Sequence, residues 1–139
     1  MRPTERIKEA QRVLEAEAKA IFASSKKIGL NFSKCIDLII DCKGTIVISG
    51  IGKSGNIGRK ITSTLASLGT PSIFLHTSDA FHGDLGILRK NDLLILISNS
   101  GETDELVRIL NYANKNGIKS IAITGKIDST INKKATCTL

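Results

Sequence analysis

T-I-V-I-S-G-I-G-K-S-G-N-I-G-R-K, residues Thr45 to Lys60, decides how the rest of the chain is read. Ile46, Val47 and Ile48 form a short β-branched run that suits a strand buried on both faces. Gly50, Gly52 and Gly55 follow, with Lys53 and Ser54 among them. A helical pattern then starts, with Ile57, Ile61 and Leu65 expected on one apolar face. Strand, glycine-rich turn, helix is a construction that aims backbone N–H groups and a helix N-terminus at an anion.

Three anion sites use such a turn. A nucleotide P-loop needs a glycine five residues ahead of Gly-Lys-Ser/Thr. Gly52-Lys53-Ser54 matches the tail of that motif, but the required first glycine falls on Val47, inside the strand. The dinucleotide pattern G-x-G-x-x-G is met by Gly50, Gly52 and Gly55. It also wants a carboxylate at the end of strand 2, to hold a ribose hydroxyl. That strand ends Phe74-Leu75-His76, with no acid before Asp79. The third site is a phosphomonoester cradle shared between two loops.

The order of elements bears on the third. A long helix is expected over about 4–28, with Thr4 as N-cap and Ile7, Leu14, Ile21 and Ile28 recurring at sevens. A second spans about 32–42, its apolar face Phe32, Cys35, Ile36, Ile39 and Ile40, closed by Gly44 as a left-handed cap. Strands follow at 45–49, 72–75, 93–97 and 120–123, and a fifth begins at Thr136. Helices at about 55–68, 103–116 and 128–134 lie between them. The alternation predicts an α/β, three-layer sandwich with a parallel, five-stranded sheet of order 2-1-3-4-5. Strands 1 and 3 then lie side by side with connections leaving on opposite faces, which is where such sheets bind ligands. The loop after strand 1 brings Ser49, Gly52, Lys53 and Ser54; the loop after strand 3 brings Ser98, Asn99, Ser100, Gly101 and Thr103. Hydroxyls, N–H groups at a helix start and one lysine suit a dianionic phosphate. Helix capping accounts for one of the three hydroxyls of the second loop and leaves two over.

Composition narrows the classes. Of 139 residues, 20 are Lys or Arg and 13 Asp or Glu, for a net charge of +7. The positive charges are scattered and aromatics make up only 4%, which argues against a nucleic-acid partner. Three cysteines without a C-x-x-C pair argue for reduced thiols and a cytoplasmic location, and against a disulfide framework or a zinc site. No apolar run is long enough to span a membrane. No cofactor and no metal constellation are expected.

The motifs G-I-G-K-S-G-N-I-G-R-K, H-G-D-L-G and I-S-N-S-G-E-T-D-E, in that order, resemble the sugar isomerase (SIS) domain. More narrowly they are similar to the arabinose-5-phosphate isomerases of bacterial Kdo biosynthesis. The resemblance implies an SIS α/β domain over 44–139, preceded by N-terminal helices over 1–43 that pack on the sheet or on a partner subunit. It implies a homodimer or homotetramer acting on a small sugar phosphate. The activity it implies is interconversion of D-ribulose 5-phosphate and D-arabinose 5-phosphate through an enediol. It assigns phosphate binding to Ser98, Ser100 and Thr103, and site roles to Lys53, Glu105 and His82. Ser54, Asn99, Gly101 and Gly52 complete the candidate phosphosugar-binding set.

The residues themselves leave alternatives open. Glu105, three beyond Glu102, is either the base or a favourable charge at a helix N-terminus. His82 has the intrinsic pKa for proton transfer, or is bonded to backbone. Lys53 meets an enediolate oxygen or the phosphate, or is a solvated loop lysine. His76 reads as structural, and Asp84 as a backbone-capping carboxylate. Two departures stand out. The family commonly has His where Asn56 stands, and it continues past Leu139 with a further glutamate and histidine, a helix and often regulatory (CBS) domains. The chain therefore reads as truncated at its C-terminal side, holding part of an isomerase site. The competing function is a non-catalytic SIS module that binds a phosphosugar or nucleotide sugar.

Overall fold

The computed structural model describes residues 2–139, in two units divided after Leu30. The first unit is built on helix α1, Pro3–Ser25. Thr4 does not cap it. Arg2 flanks the helix and Pro3 opens it, since a proline there lacks only an N–H that would be unpaired anyway. The Glu5 carboxylate turns back to accept the Arg2 backbone N–H at 2.8 Å, so an acid inside the first turn supplies the cap.

The second unit is a five-stranded parallel sheet with helices on both faces. Its elements are α2 (Leu30–Ile40), β1 (Ile46–Gly50), α3 (Gly52–Ser67), β2 (Ser72–Phe74), α4 (Thr77–Phe81), a 3-10 turn (Asp84–Ile87), β3 (Leu93–Ser98), α5 (Asp104–Lys115), β4 (Lys119–Thr124), α6 (Thr130–Lys134) and β5 (Cys137–Thr138). The strand order is β2-β1-β3-β4-β5, as the alternation predicts. Ile46 to Gly50 pair in register with Leu93 to Ile97, and Leu93 to Ser98 with Lys119 to Thr124.

Every residue of β1 and of β3 is buried, which is why both read as continuous apolar runs rather than alternating ones. Val47, Leu94, Leu96 and Ala122 face α5, whose Leu106, Ile109, Leu110 and Ala113 are all buried. Ile46, Ile48, Ile95 and Ile121 face the other way, onto Cys35 and Ile39 of α2 and Ile61 and Leu65 of α3.

The two helices of that second layer differ from the expected pattern. In α3, Ile57 is 56% exposed and does not share the packed face with Ile61 and Leu65. Gly55 and Gly58 take its place. A Cβ on Gly58 would lie 2.9 Å from Phe74 and 3.2 Å from Ile48, and one on Gly55 would lie 2.7 Å from the Gly50 carbonyl oxygen. The N-terminal half of α3 thus approaches the sheet at backbone distance, which no side chain would permit. In α2, Cys35 is buried while Phe32, Ile36 and Ile40 stay exposed.

Gly44 is not a left-handed cap either; its φ is negative. Its constraint is space, because a Cβ would collide with the Asp92 carboxylate and lie 2.7 Å from the Asn91 carbonyl. Asp92, 7% exposed, accepts the Thr45 N–H at 2.8 Å and the Arg89 N–H at 2.7 Å. It thereby ties the start of β1 to the turn that leads into β3.

Gly58→Ala tests the close approach. An open helical glycine gains up to about 1 kcal/mol on this change. Here overpacking against Phe74 and Ile48 outweighs that gain, and urea unfolding is expected to show a net loss of about 1–2 kcal/mol. A variant more stable than the parent would mean that α3 does not need the gap.

Candidate functional site

The two loops singled out in the sequence leave from neighbouring strands at the same edge of the sheet, since Gly50 pairs with Ile97, the residue before Ser98. The glycine loop is shorter than its motif suggests. Helix α3 begins at Gly52, so Lys53 and Ser54 sit in its first turn rather than in a loop ahead of it. Gly52 has φ +57°, a conformation that glycine adopts at no steric cost and that turns the chain directly from strand into helix. Lys53 is exposed and Ser54 half-buried. A groove of about 160 Å³ opens beside this turn, lined by Gly50, Gly52, Asn56, Arg59 and His76. The Arg59 guanidinium lies 4.2 Å over the Phe74 ring, which holds it at the groove wall.

The second loop is built by its own hydroxyls. Ser98, 4% exposed, accepts the Gly101 N–H at 3.0 Å and shares a hydrogen bond of 3.1 Å with the Thr103 hydroxyl. Ser100 is exposed and accepts the Glu102 N–H at 3.3 Å. Asn99 is exposed too, and its backbone carbonyl accepts the Gly125 N–H at 3.1 Å. Thr103 stands at the N-cap position of the 12-residue α5, but its side chain makes no capping bond. The hydroxyl is turned to Ser98 instead. Gly101 has φ +63° and is buried against Ser129, where any side chain would overlap.

Glu102 and Glu105 do not act as a pair. Glu102 precedes α5 and reaches across to α6, accepting the Thr130 N–H at 2.8 Å. The Thr130 side chain, then its backbone N–H, with Lys133 and Lys126 nearby, hold the Glu102 carboxyl below the usual carboxylate range. Glu105 lies exposed in the first turn of α5. One turn on, the Arg108 guanidinium packs 4.0 Å over the Phe81 ring. Glu105 and Arg108 are three apart and so neighbours on the helix surface. The chain segment carrying Phe81 and His82 is thereby brought to the same side of α5 as Glu105. His82 is exposed at the end of α4.

The polar segment after β2 is ordered as α4 and the 3-10 turn rather than as loop. His76 caps α4, its Nδ1 accepting the Ser78 N–H at 3.2 Å, and it also lines the groove. Asp84 opens the 3-10 turn, and its carboxylate accepts no hydrogen bond among the described residues, so it caps nothing. Arg59 is not among the residues that the motifs single out. Its position at i+3 from Asn56 and i+7 from Gly52 on the same helix is the signal that could have found it.

One buried polar atom stands out. Ser49, the residue before Gly50, is 0% exposed, and its hydroxyl has no partner among the described residues. Alternation along the strands puts it on the sheet face that carries Leu96 and Ser98. Among the described residues no group of three or more His, Cys, Asp or Glu side chains is placed to hold a metal ion. A larger hollow of about 240 Å³ lies at the opposite edge, by Lys43, Lys90 and Lys119, where β3 and β4 begin. Ligands of such sheets bind at the carboxyl ends of the strands, where α3 and α5 present their N-termini.

The SIS domain model matches residues 38–139. The chain is 45% identical over 134 residues to arabinose 5-phosphate isomerase KpsF of Escherichia coli O6:H1, covering 96% of this chain and 41% of that protein. It is 43% identical over 129 residues to arabinose 5-phosphate isomerase KdsD of Pseudomonas aeruginosa, covering 93% and 40%. It spans about two-fifths of the length of these curated relatives. Among solved structures, that of E. coli CFT073 c3406 in complex with arabinose 5-phosphate superposes with a TM-score of 0.93 at 38% identity, over 99% of this chain and 73% of that one. Among the described residues no helix is long and apolar enough to cross a membrane. With its sheet order and both motif loops on one edge, the chain belongs to the SIS domain family.

Proposed function

We propose that the protein carrying this chain is a phosphosugar aldose–ketose isomerase that interconverts D-arabinose 5-phosphate and D-ribulose 5-phosphate. The observation that carries it is the pair of loops on one sheet edge, one rich in hydroxyls at the start of α5 and one placing a lysine in the first turn of α3. The relatives named arabinose 5-phosphate isomerases, and the related chain in complex with that sugar phosphate, support the choice of sugar.

The hydroxyls divide by burial. Ser100 and Thr103, with Ser54 and the N–H groups around Gly52 and Asn99, cradle the phosphate. Ser98 shapes that cradle from beneath. The chemistry moves one proton between C1 and C2 and another between the two oxygens. Glu105 as the base takes the carbon-bound proton and returns it to the neighbouring carbon. Lys53 balances the charge that develops on the enediolate oxygens. His82 gives and takes the oxygen-bound proton, as in ring opening.

Incubation of the full-length protein with D-ribulose 5-phosphate is expected to yield D-arabinose 5-phosphate. Ser100→Ala is expected to weaken substrate affinity by about 1–3 kcal/mol with an unchanged melting temperature. Binding without turnover would make the protein a sugar-phosphate-binding module. A fall in melting temperature at unchanged affinity would make Ser100 a turn residue only.

The cradle depends on the tie from Glu102 to α6. A carboxyl whose folded pKa is lowered contributes stability above its unfolded pKa, near 4.5, and loses it as pH falls through the folded value. The Thr130 amide signal is therefore expected to shift with a midpoint below 4.5 in an NMR titration, and a midpoint at or above that value would mean the tie is absent in solution.

We further infer that the protein works as a homodimer or homotetramer. Phe32, Ile36 and Ile40 leave an apolar strip of α2 exposed, at 41%, 37% and 70%. Light scattering of the full-length protein should give at least twice the monomer mass, and a monomer at micromolar concentration would overturn it.

A further inference from the structure

The geometry points to an oxidisable thiol pair, Cys35 on α2 and Cys137 on β5, which a hydroperoxide converts to a disulfide that staples the helix to the edge strand. Both side chains are buried, at 1% and 7% exposure, in the same apolar cluster. Cys137 Sγ lies 3.4 Å from the backbone carbonyl of Asn31. In a helix that carbonyl accepts the N–H four residues on, which is the N–H of Cys35. Cys137 therefore sits on the one helical turn that ends at Cys35. The strand side agrees, since Cys137 pairs with Ile121 and Ile121 belongs to the same cluster as Cys35.

The third thiol is not an alternative partner for Cys35. Cys42 follows it by seven residues, roughly 10 Å along a helix axis, well beyond disulfide reach. Its Sγ is engaged with the Asn91 carbonyl at 3.6 Å.

Burial pushes the Cys35 thiol up to about 12, and the hydrogen bond and charge of Cys137 beside it add to the rise. Cys137, the more exposed of the two and carried on the two-residue edge strand, is the attacking thiol and the deeper Cys35 the resolving one. The Cys137 sulfur attacks the terminal, OH-bearing oxygen of the hydroperoxide, the O–O bond breaks, Cys137 becomes a sulfenic acid, and the proton it gives up goes to the other oxygen, which leaves as water or alcohol. Cys35 sulfur then displaces hydroxide from that sulfenic sulfur, and its own proton goes to the leaving hydroxide to form water. Two thiols are oxidised by two electrons and the peroxide is reduced by two. Because both sulfurs are shielded, the rate follows local opening of β5, which holds only two residue pairs with β4.

The test is hydrogen peroxide treatment of the intact protein, followed by alkylation in denaturant, mass measurement and peptide mapping. The expected product takes up one alkyl group, on Cys42, where the untreated protein takes up three, and releases a peptide linking Cys35 to Cys137. It forms faster at sub-denaturing urea. Cys42→Ser is expected to form the same link and Cys137→Ser none. Free Cys35 and Cys137 after treatment in urea, oxygen added to either without a link, or a link through Cys42 would each overturn the pairing.

Discussion

The structure turns on the close approach of α3 to the ends of β1 and β2. Gly55 and Gly58 let the helix settle against Gly50, Ile48 and Phe74 with no side chain between. An ordinary helix packs 8–10 Å from its neighbour because side chains fill the gap. Removing them brings the first turn of α3 directly over the end of β1. Lys53 and Ser54 are then carried by a helix, whose backbone is rigid, and Gly52 makes the corner at φ +57°. Arg59 clamps the far side through Phe74, the ring against which Gly58 is packed. Of the glycines that resemble a nucleotide fingerprint, Gly50 and Gly55 therefore serve first as packing residues and Gly52 as the corner.

The loop after β3 is fixed differently, by hydrogen bonds that reach the next crossover. Glu102 accepts from Thr130, the Gly101 carbonyl accepts the Ile131 N–H at 3.0 Å, and the Asn99 carbonyl accepts the Gly125 N–H at 3.1 Å. Each joins the loop to the β4–α6 segment, so the hydroxyls are positioned by a neighbouring element rather than by their own turn alone. A salt bridge on a free surface is worth little, whereas here a carboxylate satisfies the N–H at a helix start. Because α6 has only five residues, its position depends in turn on that tie and on Ile131, which is fully buried.

The sheet is legible in the sequence because β1 and β3 are buried on both faces and announce it as β-branched and leucine runs, and because glycines and prolines separate the elements. The coarser features follow: strand order and the two loops on one edge, though not α4 and the 3-10 turn, whose polar residues read as loop. The departures share a cause. Periodicity places Ile57 in the packed face of α3, because it cannot tell a face that meets the sheet through its side chains from one that meets it through glycine. Gly44 reads as a cap because a helix ends near it, while its real constraint comes from Asp92, forty-eight residues on in sequence. Spacing pairs Glu102 with Glu105, yet the partner of Glu102 is on α6. Long-range polar contacts leave no period in a sequence, so Asp92 and Glu102 show their roles only in three dimensions.

Ser98 and Ser100 show why residue type alone leaves the site half drawn. Both are serines of one motif, two apart, and on a strand end they would share a face. The turn at Gly101 separates them. Ser98 is buried and spends its hydroxyl on Gly101 and Thr103, whereas Ser100 is exposed and bonded only to the nearest turn N–H. Ser49 adds a contrast on the adjacent strand, since its buried hydroxyl has no partner among the described residues. Leaving such a group unsatisfied costs roughly 1–3 kcal/mol, and an alanine of nearly the same size would avoid it. The cost is carried where β1 ends, beside the loop that holds the hydroxyls. Unsatisfied polar groups of this kind are tolerated where surrounding structure overdetermines the fold, and β1 is buried along its whole length between β2 and β3.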